Sequence, residues 1–229
     1  MISLKSETIF EIGEIHITNT YLSSLLSLFL ILFLCLFLKW RLKEFPNKFQ
    51  ALIEIVFENF YSFWHGLTDV KNLKLFAFCF TFFIYILLSN WSGIFPGFSS
   101  IYIKHGEEKA HILRSVYSDL NMTLTLALIS VIGANLLGLL KLRFNFIKKF
   151  LSPFGLLELF SEISKILSFS LRLFGNVLAG EFLISSIMFL IPFIIPAPFL
   201  LLEIFVGSIQ ALIFFTLTSI FLRVAISHH

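Results

Sequence analysis

The sequence predicts an all-α membrane protein with five hydrophobic helices, the last two long and strongly tilted, and one amphipathic helix at the membrane interface. The 229 residues are 58% hydrophobic and only 14% charged, with a mean hydropathy of +0.93. Ordinary globular proteins carry about 25% charged residues. Five apolar runs are also long enough to cross about 30 Å of hydrocarbon as helices. No repeat or linker divides the chain, so we expect one membrane domain over 1–229.

The boundaries of the predicted helices follow from where charged and turn-forming residues interrupt the apolar runs. The second membrane span is expected to end near Gly93, Pro96 and Gly97, and the IPFIIPAP segment closes the fourth span. In chain order, the predicted helices cover 17–38, 47–66, 75–95, 121–140, 156–190 and 198–227.

The second of these helices, 47–66, differs from the others because it has one polar side. Gln50, Glu54 and Glu58 recur every fourth residue and follow Pro46, a residue favoured at helix starts. The opposite side is apolar and comprises Phe49, Leu52, Ile53, Val56, Phe57 and Phe60. Such a helix fits the membrane interface, and it equally fits packing against the other spans.

Basic loops predict the orientation of the spans. The loops after the first and third spans carry Lys39, Arg41, Lys43 and Lys48, and Lys141, Arg143, Lys148 and Lys149. The positive-inside rule then places these loops and the C-terminus in the cytoplasm and the N-terminus outside. The net charge of +3 is spread along the chain, without the dense basic patch that nucleic-acid binding requires.

The predicted helix 156–190 carries a polar stripe through an apolar sequence. Its length of about 52 Å exceeds the hydrocarbon thickness, so the helix must tilt, bend or protrude. The stripe lies within about 80° of the helix surface and consists of Glu158, Glu162, Lys165, Arg172 and Asn176, with Ser168 at its edge. Small residues beside Arg172 (Gly175, Ala179 and Gly180) allow close helix approach. For Glu162 and Lys165, a solvated helix end is the simpler interpretation.

Arg172 is the only charged residue between Ile166 and Gly180, and its own helix offers it no close carboxylate. Glu158 lies about 21 Å away along the axis, and Glu181 points to the opposite side. A mid-membrane guanidinium is costly without a counter-ion or water, so the partner is expected on another helix or another chain.

The last helix adds Glu203 and Gln210, two turns apart on one face. With Glu181, they place polar groups toward the outer side, while Glu158 lies toward the cytoplasm. Acids near both faces and an arginine between them predict an ion path with a positive barrier.

The sequence resembles subunit a of F-type ATP synthases over about residues 7–229. LSFSLRLFGNVLAGE and EIFVGSIQALIFFTLTSIFL carry the resemblance, and LSNWSGIFPG and SDLNMTLTLALIS are similar to the family's second and third spans. The resemblance implies a stator beside a c-ring, held by peripheral-stalk b-type subunits in the lipid bilayer. It also implies proton transport (sodium is the alternative) with no cofactor, no nucleic acid and no nucleotide chemistry on this chain.

The resemblance further implies roles for individual residues. Arg172 matches the essential arginine that faces the ring carboxylates. Asn176, Glu181, Glu203 and Gln210 match the outer half-channel, and Glu158, with Ser168 nearby, matches the inner one. Many bacterial relatives have proline where this chain has Ile166, so we expect a smoother helix here. The outer pair is two glutamates, and because nearby carboxyls share a proton, at least one is expected to be protonated at neutral pH.

Two other functional classes fit the sequence less well. A secondary transporter or ion channel with its own intramembrane site would need broken helices or internal symmetry, and neither is evident. A purely structural anchor leaves Arg172, Glu181, Glu203 and Gln210 unexplained. The N-terminal region shows no cleaved secretory signal. The lack of a presequence and the bacterial character of this region favour a bacterial plasma membrane. The mitochondrial inner membrane is the alternative, because an organelle-encoded copy would also lack a presequence.

Overall fold

A computed structural model of the chain describes residues 8–12, 15–94, 102–105, 108–111, 113–142, 155–190 and 196–226. Within them the predicted fold class is confirmed, because five helices are long and apolar enough to cross a membrane. The helices are α1 (Asn19–Arg41), α2 (Lys48–Thr68), α3 (Leu73–Ile94), α4 (Leu120–Leu142), α5 (Gly155–Leu190) and α6 (Pro196–Ile226). Three sets of residues lie outside the described part: Pro96 and Gly97, near which the second span was expected to end, the basic residues Arg143, Lys148 and Lys149, and residues 191–195.

Two short β-hairpins lie outside the helical bundle, and the sequence analysis did not predict them. Strands β1 (Thr8–Ile12) and β2 (Ile15–Thr18) pair antiparallel before α1, with a bulge between Thr8 and Phe10. Strands β3 (Tyr102–His105) and β4 (Glu108–His111) pair between α3 and α4. Strands of four or five residues give too little alternation to be distinguished from loops.

The core of the bundle lies between α3, α4, α5 and α6. α3 and α6 share the largest interface, and α4 packs against both α5 and α6. Hydroxyl pairs join these helices: Thr123 Oγ1 lies 2.9 Å from Ser170 Oγ, and Ser130 Oγ lies 2.9 Å from Thr218 Oγ1. Such small polar residues let helices approach closely where hydrocarbon gives no hydrophobic drive between them.

Helix α2 is attached to the bundle by aromatic rings in its C-terminal half. Trp64 is fully buried and its ring centroid lies 5.7 Å from that of Phe76 on α3, while Phe60 contacts Phe83 and Phe215. Phe49 and Leu52 in the N-terminal half remain exposed. One helix therefore combines both alternatives, since it packs against the spans and also presents an apolar surface outward.

The last two helices are longer than the hydrocarbon is thick. α5 has 36 residues and α6 has 31, which correspond to about 54 and 46 Å. α5 runs without interruption through Ile166, where a proline would remove a backbone hydrogen bond. At its C-terminal end, α6 is held to the turn after α2, because Arg223 donates to Leu67 O and to Asp69 Oδ2.

Candidate functional site

Arg172 lies on an exposed side of α5, in the middle of a helix long enough to cross a membrane. Its Nη2 donates a hydrogen bond of 3.3 Å to Ser168 Oγ, one turn earlier. No ion pair joins Arg172 to a carboxylate of the described residues. Within the described part of the chain, the polar partner of this guanidinium is thus a neutral hydroxyl.

The surface around Arg172 consists of small side chains. Gly175 has open space where a Cβ would be, with no atom within 4 Å. Between Ser168 and Ala179, three exposed small residues fall with Arg172 within about 60° of the helix surface, and we call them the small-residue face: Ser168, Gly175 and Ala179. A face this shallow lets the backbone of another helix approach closely.

The polar residues of α6 meet polar residues of α3. Gln210 is 6% exposed, and one turn before it Gly207 O accepts a hydrogen bond of 3.1 Å from Asn90 Nδ2. Trp91 Nε1 donates to Ser208 Oγ at 3.2 Å. Asn90 Oδ1 is buried without a partner among the described residues, and buried polar atoms of this kind are commonly satisfied by ordered water. Asn90 and Trp91 therefore extend the line of polar side chains that Glu203 and Gln210 form on one face of α6, which we call the polar track.

Glu181 forms an ion pair that the sequence analysis missed. Arg114 Nη2 donates to Glu181 Oε2 at 3.2 Å, and the two side chains are 11% and 19% exposed. Arg114 lies in the segment before a 3₁₀ turn (Val116–Ser118), and its backbone N–H donates to Ser23 Oγ of α1 at 3.2 Å. Glu181 thus has a close cation from a loop rather than from a helix.

Glu203 of α6 lies directly against α5. A Cβ placed on Gly180 would come within 2.7 Å of Glu203 Oε1 and 3.0 Å of its Cδ. Gly180 directly precedes Glu181, so the Glu203 carboxyl lies against the turn of α5 that carries Glu181. The structure thus brings Glu181 and Glu203 together, whereas no hydrogen bond between described residues joins Asn176 or Gln210 to Arg172.

A second charged cluster lies between α4, α5 and α6. Lys165 Nζ lies 2.7 Å from Glu162 Oε1, Asn135 Nδ2 donates to Glu162 Oε2 at 2.8 Å, and Lys165 Nζ is 4.8 Å from the Phe221 ring centroid. Because the two charged side chains are only 13% and 19% exposed, the interpretation as a solvated helix end is wrong. Glu158 is half-buried in the first turn of α5, where the helix dipole favours a carboxylate.

Lys165→Met is expected to lower the free energy of unfolding by about 1–3 kcal/mol. Breaking a fully buried ion pair costs about 3–5 kcal/mol, and the partial exposure of Glu162 reduces the penalty. Denaturant unfolding of the purified chain in detergent measures the change. Adding Glu162→Leu removes the stranded carboxylate and should recover part of the loss, and a single variant as stable as the native chain would show that the pair contributes nothing.

Comparison with known proteins agrees with these features. The family model of the ATP synthase A chain matches residues 21–223. A chloroplastic ATP synthase subunit a from Stigeoclonium helveticum is 34% identical over 196 residues, which cover 82% of this chain and 76% of the relative. The resemblance to F-type subunit a is confirmed. The chain therefore belongs to the ATP synthase A chain family, as a multi-pass membrane component of the F0 proton channel that is not catalytic by itself.

Proposed function

We propose that the chain forms two offset proton half-channels against the c-ring, with Arg172 as the charge barrier between them. One observation carries the proposal: an exposed arginine lies in mid-span on the small-residue face, paired with no carboxylate of the described residues. An intramembrane charge in that position requires an acidic partner or water. A carboxyl on a neighbouring ring helix, brought close by Gly175 and Ala179, supplies the partner.

The outer half-channel is assigned to Asn176, Glu181, Glu203 and Gln210. Three features support this assignment: the contact of Glu203 with Gly180, the burial of Gln210, and an Asn90 oxygen that has no partner among the described residues. The inner half-channel is assigned to Glu158, with Ser168 nearby. These groups lie about 21 Å and 6 Å from Arg172 along the α5 axis, on its N-terminal side.

Proton transport then follows from where in the membrane a ring carboxyl can be ionised and where it must be neutral. A proton from the outer half-channel neutralises a ring carboxyl, and the neutral group can face lipid as the ring turns. Arg172 favours the ionised carboxyl between the paths and blocks a direct leak, so the proton leaves on the Glu158 side. Each proton that crosses releases about 2.3 kcal/mol per 100 mV, which drives rotation. A separate transporter function is set aside, because the family is that of a rotary machine.

The remaining partners and the orientation follow from exposed surfaces and charges. The second half of α1 exposes large apolar side chains, among them Phe29, Phe33 and Trp40, which we assign to lipid and to the b-type subunits of the peripheral stalk. Lys39 and Arg41 lie in the last turn of α1, Lys141 lies in the last turn of α4, and Arg223 lies in the last turn of α6. The positive-inside rule places these ends in the cytoplasm, with the N-terminus outside. A bacterial plasma membrane is proposed, and the mitochondrial inner membrane is the alternative.

Cysteine cross-linking tests whether the small-residue face meets the ring. In a Cys35→Ser background, Gly175→Cys is expected to cross-link to a cysteine placed beside the ring carboxyl, because the new side chain has open space. Gly66→Cys is the matched control, since this α2 glycine also has no atom within 4 Å of an added Cβ. An assembled complex in which Gly175→Cys reacts no better than Gly66→Cys would count against the proposal.

A further inference from the structure

We propose that Arg114 holds Glu181 in its ionised form, so that Glu203 is the carboxyl that carries the proton on the outer side of the channel. The inference rests on the proposed function. It gives different roles to two glutamates that side-chain chemistry alone leaves equivalent, and it adds an arginine from outside the spans to the proton path.

The first support is the geometry of the Arg114–Glu181 pair. The guanidinium nitrogen and the carboxylate oxygen are 3.2 Å apart, and both side chains are largely shielded from solvent. The loop that carries Arg114 is fixed at this position, because its backbone N–H is bonded to Ser23 of α1. Arginine stays protonated at every physiological pH. A fixed cation in such contact favours the ionised form of Glu181.

The second support is the different surroundings of Glu203. Arg114 forms an ion pair with Glu181, whereas no ion pair between described residues includes Glu203. Glu203 is half-buried and accepts no hydrogen bond in the described part of the chain, and its carboxyl lies on the bare backbone of Gly180. A neighbouring negative charge, with no ion-paired cation among the described residues, favours the neutral form of Glu203.

The difference between the surroundings of Glu181 and Glu203 determines which of them holds the shared proton. Two close carboxyls tend to hold one proton between them, and Arg114 stabilises the negative charge on one member only. The proton therefore resides on Glu203, beside the polar track toward Gln210. A carboxyl without a permanent counter-ion can release and regain a proton readily, while an ion-paired carboxylate such as Glu181 fixes the local field.

Infrared difference spectroscopy of the assembled complex in lipid tests the assignment directly. At neutral pH, Glu203→Gln is expected to remove a protonated-carboxyl C=O band that is present in the native complex. Glu181→Gln is expected to remove only an ionised-carboxylate band. Loss of the protonated band on Glu181→Gln, and not on Glu203→Gln, would overturn the inference.

Variants of Arg114 test the cause of the asymmetry. Arg114→Gln is expected to slow ATP-driven proton transport about tenfold at neutral pH, the effect of roughly one unit of altered proton affinity at a transfer site, and to shift its pH profile. Arg114→Lys, which keeps the positive charge, should restore both. Native rate, pH profile and infrared bands in Arg114→Gln would refute the role of the arginine. If this variant does not assemble, the glutamine variants of the two glutamates, which retain Arg114, still decide.

The same experiments separate this inference from the proposed function. Transport that survives Arg172→Ala would refute the role of Arg172 as the charge barrier, whatever the infrared spectra show. Reversed infrared assignments in a complex whose transport still requires Arg172 would refute only the roles given to Arg114, Glu181 and Glu203.

Discussion

Arg172→Ala is expected to stop ATP-driven acidification of vesicles that hold the assembled complex. The side chain is exposed in the described structure and makes one hydrogen bond, to Ser168, so its removal leaves no cavity in the core. The loss should therefore be one of transport and not of folding. We expect the rate to fall at least about a hundredfold, because no other charge lies in this part of the span to favour ionised ring carboxyls.

The matched control is Lys141→Ala, which removes an exposed cation from the last turn of α4 and should leave transport near the native rate. Arg172→Lys tests whether positive charge alone suffices for proton transport, because a lysine ammonium lacks the planar guanidinium that binds a carboxylate through two hydrogen bonds. Full pumping by an assembled Arg172→Ala complex would mean that the arginine is structural, and the half-channel assignments would lose their anchor.

Gly180→Leu is expected to cause the second large loss of transport. Even a Cβ at this position would lie 2.7 Å from Glu203 Oε1, so a leucine must push the Glu203 carboxyl away from its present place. Because the obstructing atoms are the far end of a flexible side chain, the helices should still pack. Displacing a proton-transfer group by about 1 Å costs about tenfold to a hundredfold in rate, and vesicle acidification measures the loss.

Gly66→Leu provides the comparison for this substitution, because a Cβ on that α2 glycine meets no atom within 4 Å. Both variants add the same bulk and the same helix propensity. Equal transport by the two would show that the position of Glu203 is unimportant for the outer path. A Gly180→Leu chain that fails to enter the complex would instead show that the α5–α6 contact is needed for packing.

The spans could be predicted from the sequence because hydropathy and length are local properties. The observed helix ends differ in places from the predicted ones. α1 continues to Arg41, three residues beyond its predicted end, because the basic residues Lys39 and Arg41 are favourable in the last turn of a helix. The fully buried position of Trp64 was not predictable, because the periodicity of α2 identifies its apolar side and not the helices that cover it.

The candidate site was predicted only in part, for a similar reason. The stripe on α5 is a pattern within one helix, so Arg172 and its neighbours could be recognised from spacing alone. The pair of Arg114 and Glu181 joins residues 67 positions apart, one of them in a loop with no periodicity. Asn135 reaches Glu162 from a different helix. The sequence signal for Arg114 was a single basic residue shortly before the third span, which alone specifies no partner.

The two hydroxyl pairs that join α4 to its neighbours have a further consequence for a protein placed between two compartments of different acidity. Serine and threonine hydroxyls neither gain nor lose protons in water near neutrality, so the contacts of Thr123 with Ser170 and of Ser130 with Thr218 keep their strength on either side of the gradient. The hydroxyl contacts that hold α5 and α6 to α4 therefore do not depend on pH, whereas the charge of the acidic side chains on α5 and α6 does. Such a scaffold can hold its shape while the acidity at its two faces rises and falls independently.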